Sequence, residues 1–193
     1  MRTFAFCALM LLASACATTP QEPSRPKVTN YEAKGNLQSF APLGCVGIAD
    51  LSNRNTPADI TPAVRKCIDA GDYVRAADMF AVAGVYGRFD MLRVSDTTAH
   101  QALIVLQMNS YGDLEQKQKD AFQGVMKTQF EAGSATFLGL CDRIKRLGPP
   151  DYHPVYMLQH GMSAFTGGGG LKSDFDPAAA WASALDGYLH CPK

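Results

Sequence analysis

Behind a short apolar leader the chain keeps four cysteines, Cys45, Cys67, Cys141 and Cys191, and how these pair limits its possible folds more than any other feature. The leader has three segments in order. Met1-Arg2-Thr3 carries one positive charge, Phe4 to Leu12 is an unbroken apolar run, and Ala13-Ser14-Ala15 supplies small residues before Cys16. That is the layout of a secretory signal peptide over residues 1–15, and its apolar run is too short to span a bilayer. Cys7 leaves with it. Export into an oxidising compartment turns the four later cysteines into candidates for two disulfides, for which three connectivities exist. The expected pairs are Cys45–Cys67, fastening the incoming segment to the first helix, and Cys141–Cys191, tying down the C-terminus. A zinc site is not expected, because no C-x-x-C or H-x₃-H pair brings ligands together.

Ala13-Ser14-Ala15-Cys16 resembles the lipobox of bacterial lipoproteins, with Ala13 where that family prefers Leu and Leu12 one place earlier. The resemblance implies a diacylglycerol on the Cys16 thiol and cleavage that leaves Cys16 as the new N-terminus. It also implies sorting to the outer membrane, since Ala17 rather than Asp follows the cysteine, with the domain facing the periplasm. Ordinary cleavage after Ala15 fits the same residues and would give a soluble periplasmic protein. Residues 16–42 then read as the lipidated cysteine and a tether. Pro20, Pro23 and Pro26 alternate with polar residues there, a composition with too little apolar surface to offset the entropy of ordering.

Residues 43–193 read as a single domain. Of the full 193 residues, 47% are hydrophobic and 19% charged, with a formal net charge of zero, which excludes the basic excess of a nucleic-acid-binding protein. Beyond the leader no run reaches the eighteen or so apolar residues of a membrane helix. The membrane is therefore expected to be a partner only through the lipid.

Apolar spacing predicts an all-α domain, a helical bundle or array of about six to seven helices held by disulfides. Thr61-Pro62 reads as a helix start, with Val64, Cys67 and Ile68 on one face. Gly71 stops that helix, and Asp72 opens a second from Tyr73 to about Gly84. Ser95-Asp96 opens a third whose Ala-Leu-Ile-Val-Leu run predicts the most buried helix. Asp113 reads as the cap of a fourth. Ser134 precedes a fifth, with Phe137, Leu140, Cys141 and Ile144 inward. A shorter helix is expected over Val155 to Phe165 and a last one after Asp176-Pro177. Gly71, Tyr73, Ala76, Phe80 and Ala83 resemble the second helix of a tetratricopeptide-type repeat, in which small residues let a paired helix approach closely. The pattern covers one hairpin of roughly 34 residues; one period onward, Lys117 stands in the place of the alanine.

Two segments concentrate chemistry. In 86–96, Arg88, Asp90, Arg93 and Asp96 join two apolar stretches, either as local ion pairs or as an edge whose arginines engage a partner's carboxylate or phosphate. In 149–162, Tyr152 and Tyr156 add candidate partner-binding residues, while Asp151, His153 and His160 are the ingredients of a general base. No G-x-S-x-G, H-E-x-x-H or reactive-cysteine signature accompanies them. Gly167 to Gly170 reads as a mobile surface loop. The function expected is protein binding, as an envelope accessory factor or an immunity-type inhibitor of a periplasmic toxin, with a periplasmic or envelope protein as partner and no cofactor. The alternative is a periplasmic hydrolase using Asp151, His153 or His160.

Overall fold

Thr56 and Asp59 cap one another at the start of the first long helix. The Asp59 amide donates to Thr56 Oγ1 at 3.3 Å, and the Thr56 amide donates to the Asp59 carboxylate at 2.8 Å. In this computed structural model, which describes residues 31–192, that reciprocal cap opens α1, Pro57–Asp69. The leader, Cys16 and the tether up to residue 30 lie outside the described residues. The chain offers two Thr-Pro starts, and the helix uses the earlier one rather than Thr61-Pro62. Only Thr56 has an acid at the third helical position to complete the box. Thr61 and Pro62 consequently sit inside α1, with Pro62 on its exposed side.

Gly71 takes the left-handed conformation (φ +75°) that turns the chain, and Asp72 accepts from the Arg75 amide to open α2, Tyr73–Arg93. α2 does not stop near Gly84. Its interior glycines are points of close approach instead: a Cβ at residue 84 would lie 2.3 Å from the Tyr188 hydroxyl, and one at residue 87 would lie 2.6 Å from Leu103. Segment 86–93, read as a connection, is therefore the last two turns of the central helix. Ala76, Met79, Val82, Val85, Tyr86 and Phe89 of α2 are all buried.

Asp96 caps a 3₁₀ turn, Thr97–Gln101, that leads into α3, Ala102–Tyr111. The expectation that this helix is the most buried is corrected. Ala102, Leu103 and Leu106 are inside, but Ile104 is 56% and Met108 66% exposed, because α3 packs on one side only. α4, Gln116–Gln129, starts behind Glu115 rather than Asp113, whose carboxylate is taken by Arg65 of α1. α5, Ala135–Leu147, follows its Ser134 cap and buries Phe137, Leu140, Cys141 and Ile144 as the spacing predicts. The helix expected over 155–165 is two short pieces, α6 (Val155–Leu158) and α7 (Ser163–Thr166). Between them Gly161 is pressed against Asp96 and Ala99. α8, Pro177–Ser183, is capped by Asp176 and runs into a single π-helical turn, Ala184–Tyr188.

The fold is all-helical, with the two disulfides Cys45–Cys67 and Cys141–Cys191. A main core gathers residues of α1, α2, α4, α5 and α8, and a smaller cluster forms around Ala58, Val94, Leu106, Tyr156 and Met157. Among the described residues no helix is long and apolar enough to cross a membrane.

The segment expected to belong to the tether up to residue 42 docks on the domain from Glu32 onward. Asp59, 2% exposed, holds it: one carboxylate oxygen caps Thr56, and the other accepts from Ser39 Oγ (2.7 Å) and the amides of Phe40 (3.0 Å) and Ala41 (2.9 Å). Farther back, the Leu37 amide donates to the Tyr156 carbonyl at 3.1 Å. A Cβ on Gly35 would come within 2.8 Å of Val155. We refer to residues 32–42 as the strap.

Candidate functional site

The structure brings the two chemistry-rich segments together, but inward. Asp90 and Arg93, on the last turns of α2, meet Tyr152 and Tyr156, from the loop before α6 and from α6 itself. Asp90 is completely buried. Its Oδ1 accepts from Arg93 Nε at 2.8 Å, and Arg93 Nη2 lies 2.7 Å from the same oxygen as an ion-pair contact without hydrogen-bond alignment. Its Oδ2 accepts from the hydroxyls of Tyr152 (2.9 Å) and Tyr156 (2.7 Å). The Arg93 guanidinium lies over the Phe89 ring at 5.2 Å and the Tyr152 ring at 5.0 Å, a cation–π contact on each. Phe175 and Trp181 close the aromatic wall around Phe89.

Burial pushes the Asp90 carboxyl up, against the opposing pull of Arg93 and the two tyrosine hydroxyls. The same burial, reinforced by the Asp90 charge, pushes both tyrosine hydroxyls well above their ordinary range, so they stay protonated donors. A buried pair with each carboxylate oxygen committed fixes geometry and costs desolvation, and it offers nothing to a second molecule. Asp90, Arg93 and Tyr156 are thus corrected from partner-binding candidates to an internal strut between α2 and α6. Tyr152 is half-buried with its hydroxyl spent on Asp90. Arg88 is half-buried on α2.

Asp96 acts one layer further out. Its carboxylate accepts from the Thr98 amide (2.9 Å) and hydroxyl (2.6 Å) and from the Ser163 amide (2.8 Å). These bonds hold it well below the usual carboxylate range. It clips the 3₁₀ turn to α7, so its partners are also internal.

The general-base candidates are not brought together. Asp151 is an exposed surface acid 3.7 Å from Arg54. His160 Nδ1 lies 2.9 Å from Asn36 Oδ1 of the strap, and burial lowers its pKa below the ordinary histidine value. His153 is exposed and lines a cleft of about 280 Å³ with Leu158, Gln159, Ser163 and Gly170. Among the described residues no group of three His, Cys, Asp or Glu side chains could hold a metal ion.

The glycine run is more defined than a mobile loop. Gly167 and Gly168 adopt positive φ (+78° and +86°), and a Cβ on Gly169 would strike Ser163 at 2.3 Å. Gly170 accepts from the Ser95 amide at 2.9 Å, and Leu171 forms a bridge to Val94. At least three of the four positions require glycine on steric grounds.

A second surface feature went unread in the sequence. Ala182, Leu185, Cys191 and Pro192 line a largely apolar groove of about 360 Å³, with Lys145 and Asp186 among its walls. The Cys141–Cys191 bridge fixes one wall, and Lys145 Nζ donates to the Pro192 carbonyl at 2.7 Å. The signal available was the Cys191-Pro192 pair, which the bridge pins beside the end of α8. No protein family, curated protein or solved structure matches this chain.

Proposed function

We propose that this chain is a lipid-anchored helical protein of the bacterial envelope, facing the periplasm, that works by binding another protein. The observation that carries the binding reading is the C-terminal groove. Its apolar lining suits an aliphatic or aromatic side chain of a partner, and a disulfide-fixed wall keeps it formed without one. The location rests on the leader and Cys16, and the paired disulfides suit an oxidising compartment. An envelope accessory factor and an immunity-type inhibitor both fit this description.

Placing a photoreactive residue at Ala182, on the groove, and at Gln123, exposed on α4 and not part of the groove's lining, tests the binding reading in intact cells. A discrete crosslinked species from position 182 and none from 123 is expected. Identical diffuse products at both positions would overturn it. Location is tested separately: Cys16→Ser should release the protein into the soluble fraction, and unchanged fractionation would remove the lipid anchor from the proposal.

A further inference from the structure

We propose that the α6–α7 face, centred on Met162 and Phe165, is a second membrane contact that lays the domain against a phospholipid surface; this rests on the proposed anchoring of the N-terminus. Met162 is 60% and Phe165 54% exposed, one helical turn apart, and Leu171 beyond the glycine run is 43% exposed. Large apolar side chains left in water in one short segment ask what covers them. The place where the chain enters the domain answers. The strap runs along this same segment: Leu37 bonds Tyr156, Asn36 bonds His160 two residues before Met162, and Gly35 packs on Val155 and Gln159.

The leash is short. Residues 17–31 separate Cys16 from the docked strap, a contour of at most about 55 Å at roughly 3.3–3.6 Å per residue. A surface tethered that close meets the bilayer at an effective concentration on the order of millimolar, so a weak apolar contact is enough to orient the domain. The nearby charges offset one another, with Lys34 and Lys172 exposed beside Glu32 and Asp174. The contact is therefore apolar rather than electrostatic, and it is insensitive to salt. The competing apolar face, Ile104 and Met108 on α3, receives no hydrogen bond from the strap among the described residues; the strap's backbone and side-chain bonds to the rest of the domain go to Tyr156, His160 and Asp59.

The test uses the chain from residue 16 onward, carrying Cys16→Ser and an N-terminal hexahistidine. Nickel-chelating lipid in phosphatidylethanolamine/phosphatidylglycerol vesicles then holds it, whether or not Cys16 is acylated in the cell. Single added cysteines at Met162, Phe165, Met108 and Gln123 each carry an environment-sensitive fluorophore. These positions are exposed, and far-UV circular dichroism checks that each variant folds. The expected result is a blue shift and quenching by spin-labelled lipid at 162 and 165, unchanged at high salt, with neither at 108 nor at 123. Equal emission at all four sites, or a shift at 108 instead, would overturn the proposal. Mass analysis of the N-terminal peptide from cells reads acylation of Cys16 independently, so failure of the face and failure of the anchor are told apart.

Discussion

Replacing Asp90 by Asn tests whether the buried quartet is a strut. The substitution keeps the shape and removes the charge, leaving the Arg93 guanidinium 7% exposed and unpaired between two aromatic rings. Removing one member of a buried ion pair costs about 3–5 kcal/mol, most of it from the charge left behind. For a domain of this size each kcal/mol lowers Tm by roughly 2–4 °C, so a drop on the order of 6–20 °C is expected. Arg93→Met strands the carboxylate instead and should cost a similar amount. The double variant removes both charges and fills the space with an apolar chain, so it should be more stable than either single variant. Urea unfolding with the disulfides intact, followed by far-UV circular dichroism, gives all four free energies. Single costs below about 1 kcal/mol, or costs that simply add, would refute the strut.

Asp59→Ala removes the acceptor of the α1 cap and of the strap together, and should cost about 2–4 kcal/mol. Hydrogen exchange at the Phe40 and Ala41 amides should rise in that variant while α5 stays protected. Breaking Cys141–Cys191 by paired serines opens a loop of 50 residues and should cost about 4.1 kcal/mol, against about 3.4 kcal/mol for Cys45–Cys67 with 22. The reverse order in urea unfolding would count against a chain-entropy account. His160 has a lowered pKa in the folded state, so the unfolded chain takes up its proton first as pH falls. Its contribution is complete above about pH 6.5 and is lost as pH drops through the folded value, so wild type should lose more Tm than His160→Gln between pH 7 and pH 5. Gly161→Ala pushes a Cβ to 2.3 Å from the Asp96 carboxylate and should cost about 1–3 kcal/mol by denaturation.

The fold class and both bridges were legible because they rest on patterns that report burial directly. Phe137, Leu140, Cys141 and Ile144 recur at helical spacing, and all four are inside. Boundaries were harder where two local signals compete. Thr56 and Thr61 both precede proline, and the choice fell to Asp59, whose second carboxylate oxygen serves a segment about twenty residues upstream. Gly84 read as the end of a helix, with Gly87 in the connection beyond it, because glycine weakens helices in isolation. Tertiary packing overrode that propensity, using the missing side chains to admit Tyr188 and Leu103.

The same competition explains why the charged segment admitted an outward edge as well as local ion pairs. A sequence shows that Arg88, Asp90, Arg93 and Asp96 are charged, and charge alone favours the surface. What reverses that preference at Asp90 is a partner for each carboxylate oxygen, and two of those partners, Tyr152 and Tyr156, lie more than sixty residues away. Once α2 continues through 86–93, residues 90 and 93 fall on the face that already buries Tyr86 and Phe89, and the pair is taken almost wholly out of water. The network then stitches the smaller cluster around Tyr156 and Met157 to the main core. That smaller cluster has few large side chains of its own, so its attachment depends on directional bonds more than on area. Because the strap and the exposed Met162–Phe165 turn are both built on that cluster, loosening Asp90 should free them together. A fluorophore at Phe165 and hydrogen exchange at Leu37 should respond to Asp90→Asn in parallel, while the C-terminal groove, fixed by its own disulfide, should not.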